Sequence, residues 1–237
     1  MVTVGSWIVG TVAEVRRETP TGRSIVVDLP GWPGNLAGQH VDVRLTAPDG
    51  YQATRSYSIA SAGPAPRVQL AVDKLPDGEV SPYLVDDLQV GDMLELRGPL
   101  GGWFVWKPEQ AAPVQLIAGG SGVVPLVAMI RAHAASGSTA PMQLLYSVRT
   151  PEDRFFAEEL AALPNVTYQY TRAVPAGWPS KPARVTPEIL AAATLPASGS
   201  PAVFVCGPTG FVEAVANALV GLGHPAQSVK TERFGGK

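Results

Sequence analysis

The sequence predicts an antiparallel β-barrel of about six short strands followed by an α/β unit built on a parallel sheet. Three observations predict it. Short β-type runs separated by Gly/Pro turns occupy the first part of the chain. After Lys107-Pro108-Glu109-Gln110 the pattern changes to alternating strand and helix. A glycine-rich turn, Gly119-Gly120-Ser121-Gly122-Val123-Val124-Pro125, then joins an apolar strand to a helix. The change of pattern divides the chain into domains at 1–108 and 109–237.

The elements follow in order. Residues 7–12 and 24–29 read as strands, as do 40–45, where Val41, Val43 and Leu45 alternate with Asp42 and Arg44. Gly31-Trp32-Pro33-Gly34 and Ala47-Pro48-Asp49-Gly50 are turns. Arg55-Ser56-Tyr57-Ser58 is extended, and 67–72 and 93–97 are further strands. A short helix is expected over 81–88, with Ser81 as its cap and Pro82 in its first position. In the second half, strands are expected at 114–118, 142–147, 166–171, 202–206 and 228–232, and helices at 125–135, 153–162 and 210–222. Strand–helix alternation of this kind implies a parallel sheet covered on both faces. The Pro/Ala/Gly-rich stretches 173–183 and 195–201 read as surface connections.

Bulk properties narrow the function classes. A hydrophobic content of 46% with 16% charged residues marks a globular protein. The net charge of −2 and pI of about 5.9 give no reason to expect nucleic acid. No apolar run approaches the ~20 residues that cross a bilayer, and the first ten residues lack the pattern of a secretory leader. The single Cys206 excludes an internal disulfide and a cysteine-held iron–sulfur cluster in these residues. His40, His133 and His224 are too scattered for a metal site. A reducing, cytoplasmic setting is expected.

Two stretches carry chemistry. Strand alternation would place Arg55 and Tyr57 on one face and Ser56 and Ser58 on the other, unless the strand bends. These side chains suit a flavin: a guanidinium for phosphate, a ring for stacking and a hydroxyl for a ring nitrogen. The glycine-rich turn lets backbone approach a pyrophosphate at a helix start. Two nucleotide-shaped signals in one chain point to electron transfer between two cofactors.

Together with Cys206-Gly207-Pro208 and Glu232-Arg233-Phe234-Gly235, these stretches resemble, in type and order, the motifs of the ferredoxin–NAD(P) reductase family of flavoproteins. The likeness covers nearly the whole chain. It implies a six-stranded flavin-binding barrel followed by a Rossmann-like NAD(P)-binding domain. FAD is the implied cofactor, and NADPH or NADH the donor of a hydride to flavin N5. Carried over, Arg55 contacts the flavin pyrophosphate, Tyr57 packs on the isoalloxazine, Ser58 hydrogen-bonds near N5, and Ser56 belongs to the same flavin stretch. Gly78, Val80 and Ser81 match the segment whose N–H groups hold the diphosphate, and Val72 borders the ring. Gly119, Gly120, Ser121, Gly122, Val123 and Pro125 match the loop for the nicotinamide nucleotide, with Cys206, Gly207 and Pro208 beside the nicotinamide. Glu232 and Phe234 match an acidic–aromatic pair near the flavin. Ser58, Cys206 and Glu232 are the implied catalytic residues.

Arg149, Thr171 and Arg172 end two strands at the nucleotide edge and lean toward the 2′-phosphate of NADPH, while Glu152 and Asp153 keep NADH open. Plainer readings stand beside these: a surface arginine, a helix cap at Ser81, a buried core cysteine and a frayed tail. The implied acceptor is a separate protein, a ferredoxin or oxygenase component. Reduction of free flavin or quinone, or a non-catalytic flavin subunit of a larger complex, are the alternatives. No nucleic-acid or membrane partner is implied.

Overall fold

The computed structural model describes residues 6–235. Its first half holds β1 (Trp7–Arg17), β2 (Gly22–Asp28), β3 (His40–Thr46), β4 (Gln52–Ser58), β5 (Arg67–Asp73) and β6 (Met93–Leu100). They form one antiparallel sheet in the order β4-β3-β6-β1-β2-β5. A bridge from Ile59, just past β4, to Leu70 on β5 curls the sheet toward closure. Alternation explains the interior: Val41 and Val43 are fully buried with Ile25, Val27, Val68 and Leu70. Asp42, expected to face solvent, is also covered, because Ser56 and Arg97 hydrogen-bond its carboxylate.

The second half holds β7 (Val114–Gly119), α1 (Val123–Ser136), β8 (Met142–Val148), α2 (Ala157–Ala161), β9 (Val166–Tyr170), α3 (Pro187–Ala193), β10 (Ala202–Pro208), α4 (Thr209–Gly221) and β11 (Val229–Phe234). The five strands are parallel, in the order β11-β10-β7-β8-β9. The central strand β7 is buried along its whole length, as a strand covered on both faces must be, which accounts for its apolar sequence; its one polar side chain, Gln115, is buried with its amide bonded to Leu116 C=O and Leu195 N–H. The chain leaves β7 toward β8 on one side and returns to β10 on the other. The carboxyl ends of β7 and β10 therefore flank the crevice where open α/β sheets bind ligands.

Three helical expectations change in detail. The insert after β5 is a single wide turn over Tyr83–Asp87, closed by an i to i+5 bond from Leu88 N–H to Tyr83 C=O (2.9 Å). The expected helix over 153–162 splits into a capped turn at Pro151–Asp153 and the short α2, broken at Phe156, whose φ is 53°. Helix α3 is one that the sequence reading leaves unassigned, although Thr186 caps it and Pro187 opens it. The two halves share a core. Ala37, Ala60, Phe104 and Trp106 of the first pack with Val123, Met129, Phe155 and Phe156 of the second. Among the described residues, no helix is long and apolar enough to cross a membrane.

Candidate active site

A cleft of about 770 Å³ opens between the two halves, within the usual range for small-molecule sites. One wall is the barrel edge. Arg55, Ser56, Tyr57 and Ser58 all line it, as do Val72, Gly78, Val80 and Ser81. Both faces of the Arg55–Ser58 stretch thus reach the cleft rim. The Ser56 hydroxyl is committed elsewhere, donating to Asp42 at 2.6 Å. Arg55 is exposed and pairs with the Glu79 carboxylate, which also accepts a bond from the Tyr51 hydroxyl at 2.6 Å. Tyr57 is half-buried, and burial pushes its phenol up to about 12, so the ring stays neutral. Ser81 Oγ accepts from Leu75 N–H at 3.0 Å, closing the loop that presents Gly78 and Glu79.

The opposite wall comes from the parallel sheet. Gly119, Gly120 and Ser121 line it, with Arg149 at the end of β8, Thr171 at the end of β9 and Pro208 at the end of β10. Gly122, Val123 and Pro125 lie behind this surface, buried at the start of α1. The glycines here answer mostly to packing. A Cβ on Gly119 or Gly207 would run into the Phe211 ring, and one on Gly122 into the carbonyl of Cys206. Gly120 alone has open space above it, at φ 56°. Arg172 is exposed but does not line the cleft. Arg184, before α3, does. The sequence reading missed Arg184 because it lies in a segment without periodicity; its cue was the Thr186-Pro187 helix start two residues on.

The third group lies behind the cleft. Cys206, Gly207 and Glu232, expected at the cofactors, sit in the paired and covered part of β10 and β11 and do not line it; of these two strands only the neighbouring Pro208 and Phe234 do. Parallel pairing sets Cys206 on β10 opposite Glu232 on β11. Cys206 is fully buried, so burial, with the Glu232 charge beside it, pushes its thiol well above the usual range. Ser58 Oγ reaches across the domain boundary to Glu232 Oε1 at 3.1 Å. Burial raises the Glu232 carboxyl to about 7, against the opposing hydrogen bond from Ser58. Phe234 lines the cleft, exposed at its mouth.

A flavin dinucleotide fits these residues. An unburied guanidinium and a glycine turn face the cleft for a diphosphate, and a neutral aromatic ring lies beside a hydroxyl. A barrel and a parallel sheet that share one such cleft define a two-nucleotide oxidoreductase. Residues 23–105 match the oxidoreductase FAD-binding domain and residues 116–217 the oxidoreductase NAD-binding domain. The chain is 37% identical to ferredoxin–NADP reductase B of Sorangium cellulosum over 210 residues, covering 84% of each. It is 31% identical over 207 residues to the toluate 1,2-dioxygenase electron transfer component of Pseudomonas putida, covering 84% of this chain and 58% of that protein. The FAD/NAD-binding domain of nitric oxide dioxygenase from Vibrio cholerae superposes with a TM-score of 0.84 at 25% identity, covering 97% of this chain and 99% of that one. The chain belongs to the ferredoxin–NADP reductase family and is an FAD- and NAD(P)-binding oxidoreductase.

Proposed function

We propose that the protein takes a hydride from NADPH and delivers electrons to a separate acceptor protein, a ferredoxin or an oxygenase component. The observation that carries this reading is the single cleft with Arg55, Tyr57 and Ser58 on one wall and Gly119, Gly120, Arg149 and Arg184 on the other. The first domain, 1–108, would hold FAD, and the second, 109–237, the nicotinamide nucleotide. The relatives named as an NADP reductase and as a dioxygenase electron transfer component support the acceptor class. The lone cysteine supports an acceptor whose iron–sulfur centre lies outside these residues. A cytoplasmic setting, where reduced nicotinamide is made, agrees with that lone thiol.

When bound, the flavin supplies acceptance of a hydride and its release as electrons. The residues do the rest. Arg55 offsets the diphosphate charge and Gly78 lets backbone approach it. Tyr57 offers a neutral ring, and Ser58 presents its hydroxyl to the flavin edge. Glu232, titrating near neutrality, holds a proton within reach of Ser58 Oγ. Arg149 and Arg184 receive the 2′-phosphate, with Thr171 beside them. Buried Cys206 supports the nicotinamide from beneath the glycine turn.

The test is an anaerobic titration of the purified protein with NADPH, followed in the visible spectrum, with the released flavin identified. FAD bleached by NADPH and re-oxidised by added ferredoxin is the expected result. A protein that binds no flavin, or whose flavin neither nicotinamide reduces, would sink the reading.

A further inference from the structure

We propose that the segment 149–156 is a strap that the barrel holds by Phe156, and that Glu18 and Arg131 are positioning residues for the nicotinamide nucleotide. The inference rests on the reading that the main cleft takes that nucleotide. At one end of the segment Arg149 and Asp153 line the cleft. At the other end Phe155 and Phe156 are buried at 2% and 4% exposure.

Phe156 is held at φ 53°, a left-handed conformation unfavourable for a residue that carries a side chain. Such a conformation persists only where the surroundings over-determine it, and here they do. The Phe156 N–H donates to Glu18 Oε2 of the barrel at 3.0 Å. The side chain of Glu18 is only 3% exposed, and it also accepts from Ser24 Oγ at 2.7 Å. The Arg131 guanidinium covers the Phe156 ring, 5.1 Å from its centre. Arg131 is itself bonded on every arm: to Glu159 at 2.8 and 2.7 Å, to the Ala60 carbonyl at 3.0 Å and to Gln69 at 2.6 Å. It therefore ties α1 and α2 to the barrel. The neighbouring Phe155 ring lies on Gly22, where a Cβ would overlap it, and the Phe155 N–H donates to the Tyr146 hydroxyl at 3.1 Å.

Neither Glu18 nor Arg131 touches the main cleft. Both line a separate crevice of about 220 Å³ at the domain boundary. Their bonds nevertheless fix the strap that carries Arg149. The Arg149 carbonyl is held from the other side by the Arg172 and Ala173 N–H groups at 2.9 and 3.2 Å, so releasing Phe156 loosens the strap from Thr150 onward and with it the Asp153 rim of the cleft beside Arg149.

The test uses the FAD-loaded protein with Glu18→Ala, which leaves the Phe156 N–H without its acceptor. NADP+ affinity is read from the flavin difference spectrum, and amide hydrogen exchange is followed over 149–156. The expected result is roughly tenfold weaker nucleotide binding, a tenfold higher KM, unchanged kcat at saturation, unchanged FAD content and faster exchange in the strap. Should Glu18→Ala not fold, Arg131→Lys, which keeps the charge and loses the fork, is read in the same way. Wild-type affinity in the variant, with or without faster exchange, overturns the positioning role. A wild-type protein that binds neither NADP+ nor NAD+ overturns the cleft reading itself and the proposal with it, a result recognisable because the unmutated protein is silent.

Discussion

Ser58 and Glu232, 174 positions apart in sequence, meet at 3.1 Å where β4 of the barrel faces β11 of the parallel sheet. Burial raises the Glu232 carboxyl to about 7. The folded state then binds this proton more tightly than the unfolded chain, whose carboxyl titrates near the ordinary 4.5. The stability it contributes is fully present below about pH 4.5 and is lost as pH rises to about 7, on the order of 3 kcal/mol. Glu232→Gln is expected to flatten that part of the denaturation-midpoint profile. Ser58→Ala removes the bond that favours the carboxylate and is expected to shift the fall to higher pH.

Arg55 and Glu79 form an ion pair where a flavin diphosphate would sit. Loss of a charge-assisted bond of ~1.5–3 kcal/mol implies that Arg55→Ala weakens FAD binding by about 10- to 100-fold. Glu79→Gln removes the competitor for the guanidinium and is expected to tighten FAD binding. Quenching of flavin fluorescence on titration into the apoprotein measures both.

The cleft lining separates the arginines at the nucleotide edge. Arg149→Ala and Arg184→Ala are each expected to raise the NADPH KM about 10- to 100-fold, the scale of one charged hydrogen bond. The NADH KM is expected to stay close to wild type. Arg172, outside the cleft, is expected to leave both unchanged when replaced by Ala. Stopped-flow reduction with each nucleotide tests this, and an Arg172→Ala effect confined to NADPH would return Arg172 to the site.

Gly122 and Gly120 differ in what a methyl group would meet. At Gly122 it overlaps the Cys206 carbonyl and the Gly207 amide, both backbone, so Gly122→Ala is expected to cost ~1–3 kcal/mol and shift the end of β10. At Gly120 there is open space, and only the positive φ opposes Ala, at ~1–2 kcal/mol. Thermal unfolding is expected to fall in both, with nucleotide affinity falling further in Gly122→Ala because the displaced end of β10 carries Pro208, which lines the cleft.

Strands were the most legible part of this sequence. Val41-Asp42-Val43 announces a half-buried strand by alternation, and Val114-Gln115-Leu116-Ile117-Ala118 a fully buried one by an apolar run that only Gln115 interrupts. The helices were less so. Phe156 breaks the expected 153–162 helix because a bond to Glu18, 138 positions away, captures its amide, and no local pattern encodes that partner. The site residues were legible where a motif is local, as at Arg55–Ser58. Arg184 was not, since what brings it to the cleft is the path of a loop. The glycine turn is visible in the sequence, but packing against Phe211 and Cys206 explains Gly119 and Gly122 without a ligand.

The cleft takes one wall from each half, so whatever fills it becomes a third component of their contact. By mass action, free FAD at a hundred times its dissociation constant adds ~2.7 kcal/mol to the folded state. That increment falls on the junction of barrel and sheet rather than on either alone. Flavin thus reinforces a junction that the shared core already couples, so that cofactor supply sets how firmly both halves are held together.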